Sequence, residues 1–201
     1  MITRVLVAIL CCAIITGCEE DTGMDASSFD EQELIDTRRE KDEAFRTTAE
    51  SPIPEHMRDT FKGLKYFAPS EEGVVDAAFV PATSADTITM TTTTSELRPA
   101  LRAGRFTFSY GTTECSLTAF QFLGGPTDSY FVPFTDRTTG ETTYRGGRYL
   151  DIERTGDSVY VIDFNRAYNP FCAYNDAFSC PRVPRENNLP VAVTVGEQSW
   201  K

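Results

Sequence analysis

Residues 105–123 read RFTFSYGTTECSLTAFQFL. Apolar and polar side chains alternate along Arg105–Tyr110 and again along Ser116–Leu123, and Gly111 lies between the two runs. Alternation with a period of two is typical of β-strands that are buried on one face, and a glycine between two such runs favours a turn. The stretch therefore predicts two neighbouring strands at hairpin spacing.

The same pattern extends over most of the chain after Tyr66, where Thr, Val, Phe and Tyr are abundant. Many short strands at hairpin spacing indicate an antiparallel sheet that forms a sandwich or a partly open barrel. Residues 165–190 differ, because they are irregular and rich in Asn, Tyr and Pro. The predicted strands are Val74–Val80, Thr87–Thr93, Arg105–Tyr110, Ser116–Leu123, Tyr130–Phe134, Thr142–Tyr149, Val159–Phe164 and Leu189–Val195.

Two helices are predicted before the strands. Ser28 or Asp30 can cap a helix that runs to about Thr48, Pro52 ends it, and a shorter helix begins at Pro54. The predicted fold is mainly β with N-terminal helices (α+β), an antiparallel β-sandwich or partly open barrel preceded by one long and one short helix. The apolar residues expected on the buried faces of the two helices are Leu34, Ile35 and Phe45, and Met57, Phe61 and Leu64.

The N-terminus has the features of a lipoprotein signal peptide, residues 1–17. Arg4 precedes an apolar stretch of eleven residues, 5–15, which is shorter than the roughly 20 residues that span a bilayer. A buried core helix or a short transmembrane anchor would also be apolar. Residues 15–18, ITGC, resemble the bacterial lipobox, and that resemblance implies cleavage before Cys18 and lipid on its thiol. Because two or three acyl chains retain a protein at a membrane, we expect a membrane-anchored lipoprotein of the cell envelope.

The rest of the chain divides into an acidic flexible tether, residues 18–28, and a single β-rich domain, residues 29–201. Glu19 favours the periplasmic face of the outer membrane if the source is Gram-negative. Without residues 1–17 the formal charge is −12, because 18 Lys and Arg face 30 Asp and Glu. Such an acidic surface repels phosphate backbones and argues against nucleic acid as a partner. We expect a monomer whose partners are the membrane and either a small polar ligand or an envelope protein.

Three cysteines remain in the predicted mature domain. Cys172 and Cys180 could close a nine-residue loop as a disulfide, which would contribute roughly 2–3 kcal/mol in an exported protein. Cys115 would then be left over, and its place in an alternating run predicts a small buried side chain.

The sequence contains no catalytic, metal-binding or cofactor-binding motif. A Gly-x-Ser-x-Gly elbow is absent, and the single histidine, His56, fits an exposed side chain better than a catalytic base. The seven residues between Cys172 and Cys180 do not match the spacing of a zinc knuckle. Paired carboxylates could still act in acid–base chemistry. The candidates near the polar C-terminal segment are Asp151, Asp163, Asp176 and Glu197.

The segment from Thr142 to Pro184 combines Tyr, Asn, Arg and Asp. This mixture suits a polar ligand, because it offers rings for stacking and groups for hydrogen bonds. A structural role explains the same residues, since Asn and Asp close turns and an Arg–Asp pair can fix a loop to a sheet. The candidate ligand-binding residues are Tyr144, Arg148, Tyr149, Asp163, Asn165, Tyr168 and Asn169.

Three blocks of sequence resemble the prokaryotic family named domain of unknown function 1684 (DUF1684). The first contains FKGLKYF at 61–67, the second joins FVPFTD at 131–136 to TYRGGRYLD at 143–151, and the third begins with DFNRAYNP at 163–170. The resemblance spans nearly all of residues 38–197, and it implies family membership but no activity. Relatives without export signals carry cysteines that match Cys172 and Cys180, which implies a role that also works for reduced thiols.

Two functional hypotheses follow from the sequence. The first is a non-enzymatic envelope lipoprotein whose β domain binds a polar ligand or partner through residues 142–197. The second is an envelope hydrolase or a thiol-dependent enzyme that uses Cys172 or carboxylates of that region. A spacer without any small ligand would show no cleft among these residues.

Replacement of Cys18 tests the predicted anchor. We expect Cys18→Ala to release the protein from the membrane fraction, because lipid on this thiol is the predicted membrane attachment. Fractionation followed by immunoblotting measures the effect. Tight membrane association of the variant would reject the anchor.

Overall fold

The structure is a computed structural model that describes residues 29–84 and 86–200. Its main element is one seven-stranded antiparallel sheet that curls into a half-barrel. In space the strands follow the order β6-β5-β4-β3-β1-β7, and β2 pairs with the first half of β3. The strands are β1 (Val74–Pro81), β2 (Thr87–Thr91), β3 (Leu97–Tyr110), β4 (Thr113–Phe122), β5 (Ser129–Phe134), β6 (Arg148–Glu153) and β7 (Val159–Asp163).

This architecture confirms the predicted fold class, a mainly β domain with a partly open antiparallel barrel behind N-terminal helices. The predicted signal peptide, the lipidated Cys18 and the tether to residue 28 lie outside the described residues. Within the described ranges, no helix is both long and apolar enough to cross a membrane.

The stretch at 105–123 forms the centre of the sheet. β3 and β4 pair as a hairpin around Gly111, whose φ of +58° suits glycine because it has no Cβ. β3 begins at Leu97 rather than at the predicted Arg105. The register shifts between Arg102 and Gly104, and such a bulge bends a long strand. The two halves of β3 therefore pair with different neighbours, β2 and β1.

The predicted strand Thr142–Tyr149 is displaced, because β6 begins only at Arg148. The preceding residues form turns, and Gly147 has a φ of +86°. A Cβ at Gly147 would lie 2.5 Å from the carbonyl oxygen of Phe134. The chain therefore turns sharply at this glycine before it joins the sheet.

The predicted strand Leu189–Val195 is wrong, because this stretch is irregular in the structure. Its apolar residues alternate because they fill the inside of the half-barrel and not because they extend the sheet. The main core combines side chains of the sheet with residues of the C-terminal segment. The C-terminal members of this core are Phe164, Ala167, Leu189, Val193 and Val195.

The N-terminal helices are α1 (Glu31–Thr47) and α2 (Glu55–Arg58). Asp30 caps α1, as its side chain accepts a hydrogen bond from the Glu33 N–H over 2.9 Å. Leu34 and Phe45 are buried as predicted, whereas Ile35 is exposed, because it lies outside the narrow contact stripe. α2 is shorter than predicted, and the apolar residues that follow it pack with Phe45 in a second core cluster.

Arg148 joins the sheet to the C-terminal segment. Its guanidinium is 1% exposed and pairs with Asp136 over 2.8 Å. It also donates to the carbonyl oxygens of Val193, over 2.8 Å, and Val195, over 2.5 Å. The arginine that was a candidate for ligand binding therefore has a structural role, because its donors are directed at the chain itself.

Replacement of Arg148 by Met is expected to lower the free energy of unfolding by roughly 3–5 kcal/mol, because it leaves Asp136 as an unpaired buried charge. The matched control is Arg39→Met, which removes an exposed pair with Asp36 and should cost less than about 1 kcal/mol. Denaturant unfolding of both variants measures the difference. Equal stability losses would contradict the assignment.

Candidate functional site

Asn165 and Asp163 fix the end of β7 to the segment before β1. Asn165 accepts a hydrogen bond from the Ser70 N–H over 3.0 Å and donates to the Ser70 carbonyl over 2.8 Å. Asp163 accepts from the backbone and the side chain of Asn165 and pairs with Arg166 over 3.3 Å. Both candidate ligand-binding residues are thus occupied by structural hydrogen bonds.

Asn169 belongs to a buried polar group around Glu197, which is fully buried. The Glu197 carboxylate accepts from Lys41 Nζ over 2.8 Å, from Asn169 Nδ2 over 3.0 Å and from the Tyr174 hydroxyl. A buried charge is tolerated when it is paired and hydrogen-bonded in this way. The group ties α1 to the C-terminal segment and leaves little capacity for a ligand.

Tyr168 donates its hydroxyl to Asp151 over 2.6 Å. Asp151 and Asp163 both line a shallow acidic cleft of about 540 Å³ between β6 and β7. Among the described residues, neither Asp176 nor Glu197 lines this cleft. The four carboxylates proposed for acid–base chemistry therefore do not all meet here, because only Asp151 and Asp163 line this cleft.

Another cleft, which we call the Cys172 cleft, has a volume of about 640 Å³. Three segments build it, namely the turn before β6, the 3₁₀ turn Phe171–Ala173 and residues 181–183, which lie beside the end of β2. Two of the predicted ligand-binding residues, Tyr144 and Tyr149, line this cleft. Its other polar and ionisable lining residues are Thr93, Thr135, Arg145, Cys172, Asp176 and Arg182.

Two exposed arginines lie at this cleft. The Arg145 side chain makes no hydrogen bond or ion pair with any residue in 29–84 or 86–200, and the Arg182 side chain donates only through Nε, to the Thr92 carbonyl over 3.2 Å. Tyr149 is already occupied, since its hydroxyl donates to the Pro181 carbonyl. The guanidinium groups are therefore the available donors of the cleft.

Cys172 and Cys180 are free thiols, as is Cys115, which is buried in the main core as predicted. The predicted disulfide is not formed in this structure, and a hydrogen bond joins the two residues instead. The Cys172 N–H donates to Cys180 Sγ over 3.1 Å. Tyr144 lies close on the other side, with its hydroxyl 3.7 Å from Cys172 Sγ.

These neighbours favour the thiolate form of Cys172. The Cys180 thiol lowers the pKa of Cys172 to about 6 by hydrogen bonding, against the effect of burial, and the Tyr144 and Thr93 hydroxyls add to the lowering. The same interaction raises the pKa of Cys180, and burial raises it further. Burial and the contact with Cys172 raise the pKa of Tyr144 to about 12, so its phenol keeps a proton to donate at neutral pH.

Sequence reasoning missed four polar residues of the Cys172 cleft, namely Thr93, Thr135, Arg145 and Arg182. Thr93 is distant in sequence and comes close because Cys180 and Thr93 exchange backbone and side-chain hydrogen bonds of 2.9 and 3.1 Å. The arginines follow no motif. Arg145 precedes the Gly146-Gly147 pair, inside the stretch predicted as a strand, and Arg182 follows the Cys180-Pro181 pair.

Within the described part of the chain, no three His, Cys, Asp or Glu side chains are grouped as metal ligands. His56 is exposed on α2, away from the cleft lining. The side chains at Cys172 thus offer a thiol pair, hydroxyls and guanidinium groups, which can bind an anion and perform sulfur chemistry.

Comparison with known proteins supports the fold and gives no activity. The solution NMR structure of an uncharacterized protein from Haloarcula marismortui is 38% identical in sequence, with a TM-score of 0.66. The match covers 84% of this chain and 93% of that chain. Among proteins with curated descriptions, none matches.

A family model described as protein of unknown function (DUF1684) matches residues 59–198. This range contains the whole sheet, the buried polar groups around Arg148 and Asn165, and the lining of the Cys172 cleft. The resemblance seen in the three sequence blocks is therefore confirmed, and this chain belongs to the DUF1684 family.

Proposed function

We propose that this protein is a lipoprotein of the cell envelope, held at the membrane by lipid on Cys18, and that its β domain binds a small polar ligand in the Cys172 cleft. The ligand carries a negatively charged group. The observation that supports this proposal is that the arginines of the cleft keep free donors, whereas the candidate residues Arg148, Asn165 and Asn169 are occupied by structural hydrogen bonds.

The charge of the domain makes this arrangement distinctive. The mature chain carries −12, so most of its surface repels anions. Arg145 and Arg182 outnumber the one carboxylate of the lining, Asp176, and so provide a local positive site at a cleft that also contains the Tyr144 ring. A guanidinium can bind a carboxylate or phosphate through two parallel hydrogen bonds, and an aromatic ring can stack on the rest of a polar ligand.

Anion binding can be measured by protection of Cys172 from iodoacetamide in the detergent-solubilised full-length chain. We expect inorganic phosphate to slow alkylation of Cys172. A bound anion blocks access to the sulfur, and its negative charge disfavours the thiolate, which is the form that reacts with iodoacetamide. In the double variant Arg145→Gln and Arg182→Gln, the apparent affinity for phosphate should fall about 10-fold or more, which corresponds to about 1.4 kcal/mol.

The control for this experiment is the double variant Arg137→Gln and Arg185→Gln. It makes the same change in net charge at two exposed arginines outside the lining, and it should retain protection. Equal protection in both double variants would contradict the proposed binding site. Absence of protection by phosphate, sulfate and citrate in the unaltered protein would contradict an anionic ligand.

The pH dependence of alkylation tests the state of Cys172 itself. The rate should rise with a midpoint near pH 6 and level off above it, because the thiolate is the reactive form. Tyr144→Phe removes a hydrogen bond to the thiolate, so we expect the midpoint to move up by roughly 0.5–1 pH unit. Tyr160→Phe, which removes a phenol outside the cleft, should leave it unchanged. A midpoint between about pH 8 and 9 in the unaltered protein would show an ordinary thiol.

A further inference from the structure

Cys172 and Cys180 differ in their access to the Cys172 cleft. Cys172 forms part of the wall, whereas Cys180 is not among the described residues that line it. Both residues are 6% exposed, and the N–H of Cys172 donates to Cys180 Sγ over 3.1 Å. A ligand in the cleft can therefore reach one sulfur directly and the second only through the first.

We propose that Cys172 and Cys180 reduce a disulfide-bearing substrate in this cleft by thiol–disulfide exchange, with Cys172 as the attacking sulfur and Cys180 as the resolving sulfur. The inference rests on the proposed function, because it places the substrate in the same cleft, and it deepens that function by naming the substrate class. The substrate carries its disulfide close to a negatively charged group, which the two arginines bind.

The reaction has two displacement steps. The Cys172 thiolate attacks one sulfur of the substrate, the substrate S–S bond breaks, and the leaving thiolate takes a proton from water. This step forms a mixed disulfide between Cys172 and the substrate. The Cys180 thiol then loses its proton to water and attacks Cys172 Sγ, which releases the second substrate thiol. Two electrons pass from the cysteine pair to the substrate, and the pair becomes an intramolecular disulfide.

The protonation states of the two sulfurs fit this order. Before the reaction, hydrogen bonding to the Cys172 thiolate keeps the proton on Cys180 and raises the pKa of Cys180. Formation of the mixed disulfide removes the negative charge from Cys172, so this effect ends. The Cys172 N–H still donates to Cys180 Sγ and favours its thiolate. Cys180 therefore becomes a nucleophile only after the first step has taken place.

The surroundings hold Cys180 in place for the second step. The Cys180 N–H donates to Thr93 Oγ1 over 3.1 Å, and the Thr93 N–H donates to the Cys180 carbonyl over 2.9 Å. Cys172 lies in the 3₁₀ turn Phe171–Ala173, so a different part of the backbone positions each of the two sulfurs. A sulfur fixed beside its target shortens the lifetime of the mixed disulfide, because the second attack is intramolecular.

The test uses the full-length chain in detergent with glutathione disulfide, an anionic disulfide, as the probe. We expect the unaltered protein to release about two equivalents of glutathione and to gain a Cys172–Cys180 disulfide, detected by peptide mass spectrometry. Cys180→Ser should accumulate about one glutathione per chain on Cys172, because the resolving step is lost. Cys172→Ser should release none, and Cys115→Ala should behave like the unaltered protein.

A second probe separates this inference from the proposed function. Cystamine, a cationic disulfide, should react more slowly than glutathione disulfide, and Arg145→Gln with Arg182→Gln should slow only the glutathione reaction. The inference would be overturned if Cys172 and Cys180 both remain free thiols after incubation with glutathione disulfide and Cys180→Ser forms no glutathione adduct. This holds even if phosphate still protects Cys172. Equal rates for both probes would overturn the anionic substrate class. If phosphate fails to protect Cys172 but glutathione disulfide still produces the Cys172–Cys180 disulfide, only the proposed function is overturned.

Discussion

The rest of the structure depends on the interactions of the buried Arg148 guanidinium with Asp136 and with the C-terminal segment. A half-barrel leaves its interior open, and the irregular C-terminal segment fills it with apolar side chains. Arg148 pairs with Asp136 and donates to the carbonyl oxygens of Val193 and Val195, so the segment is held at the first residue of β6. Because an unpaired buried charge is costly, the segment cannot leave without orphaning this group.

The same constraint explains which polar residues remain for function. The C-terminal segment crosses the sheet without forming strands, so its backbone and its buried charges need partners from elsewhere. Asn165, Asn169 and Glu197 supply or receive these partners and are thereby occupied. The polar side chains that remain available for a ligand are those of the Cys172 cleft. There, arginines with free donors adjoin a pair of thiols, and this combination sets the chemistry that we infer.

Local periodicity was sufficient to predict α1, the β3–β4 hairpin and the fold class. It failed at Leu189–Val195, because side chains that fill a barrel from inside alternate in the same way as a strand does. It also failed at Thr142–Tyr149, where the need for positive φ at Gly147 overrides β-propensity. The site was predictable only in part. Tyr144 and Cys172 belong to the segment rich in polar residues, whereas Thr93 joins them through tertiary contacts that no sequence spacing records.

The central claim is that the C-terminal segment is a fixed structural element, clamped to the sheet, that preforms the Cys172 cleft. Amide hydrogen exchange of the full-length chain tests it most directly. The N–H groups of Leu189, Gln198 and Ser199 donate to the backbone carbonyls of Thr135, Lys65 and Thr142, which lie outside the C-terminal segment, so they should exchange as slowly as those of β4. Rapid exchange at these three positions beside a protected sheet would show a loosely attached segment and would contradict the account.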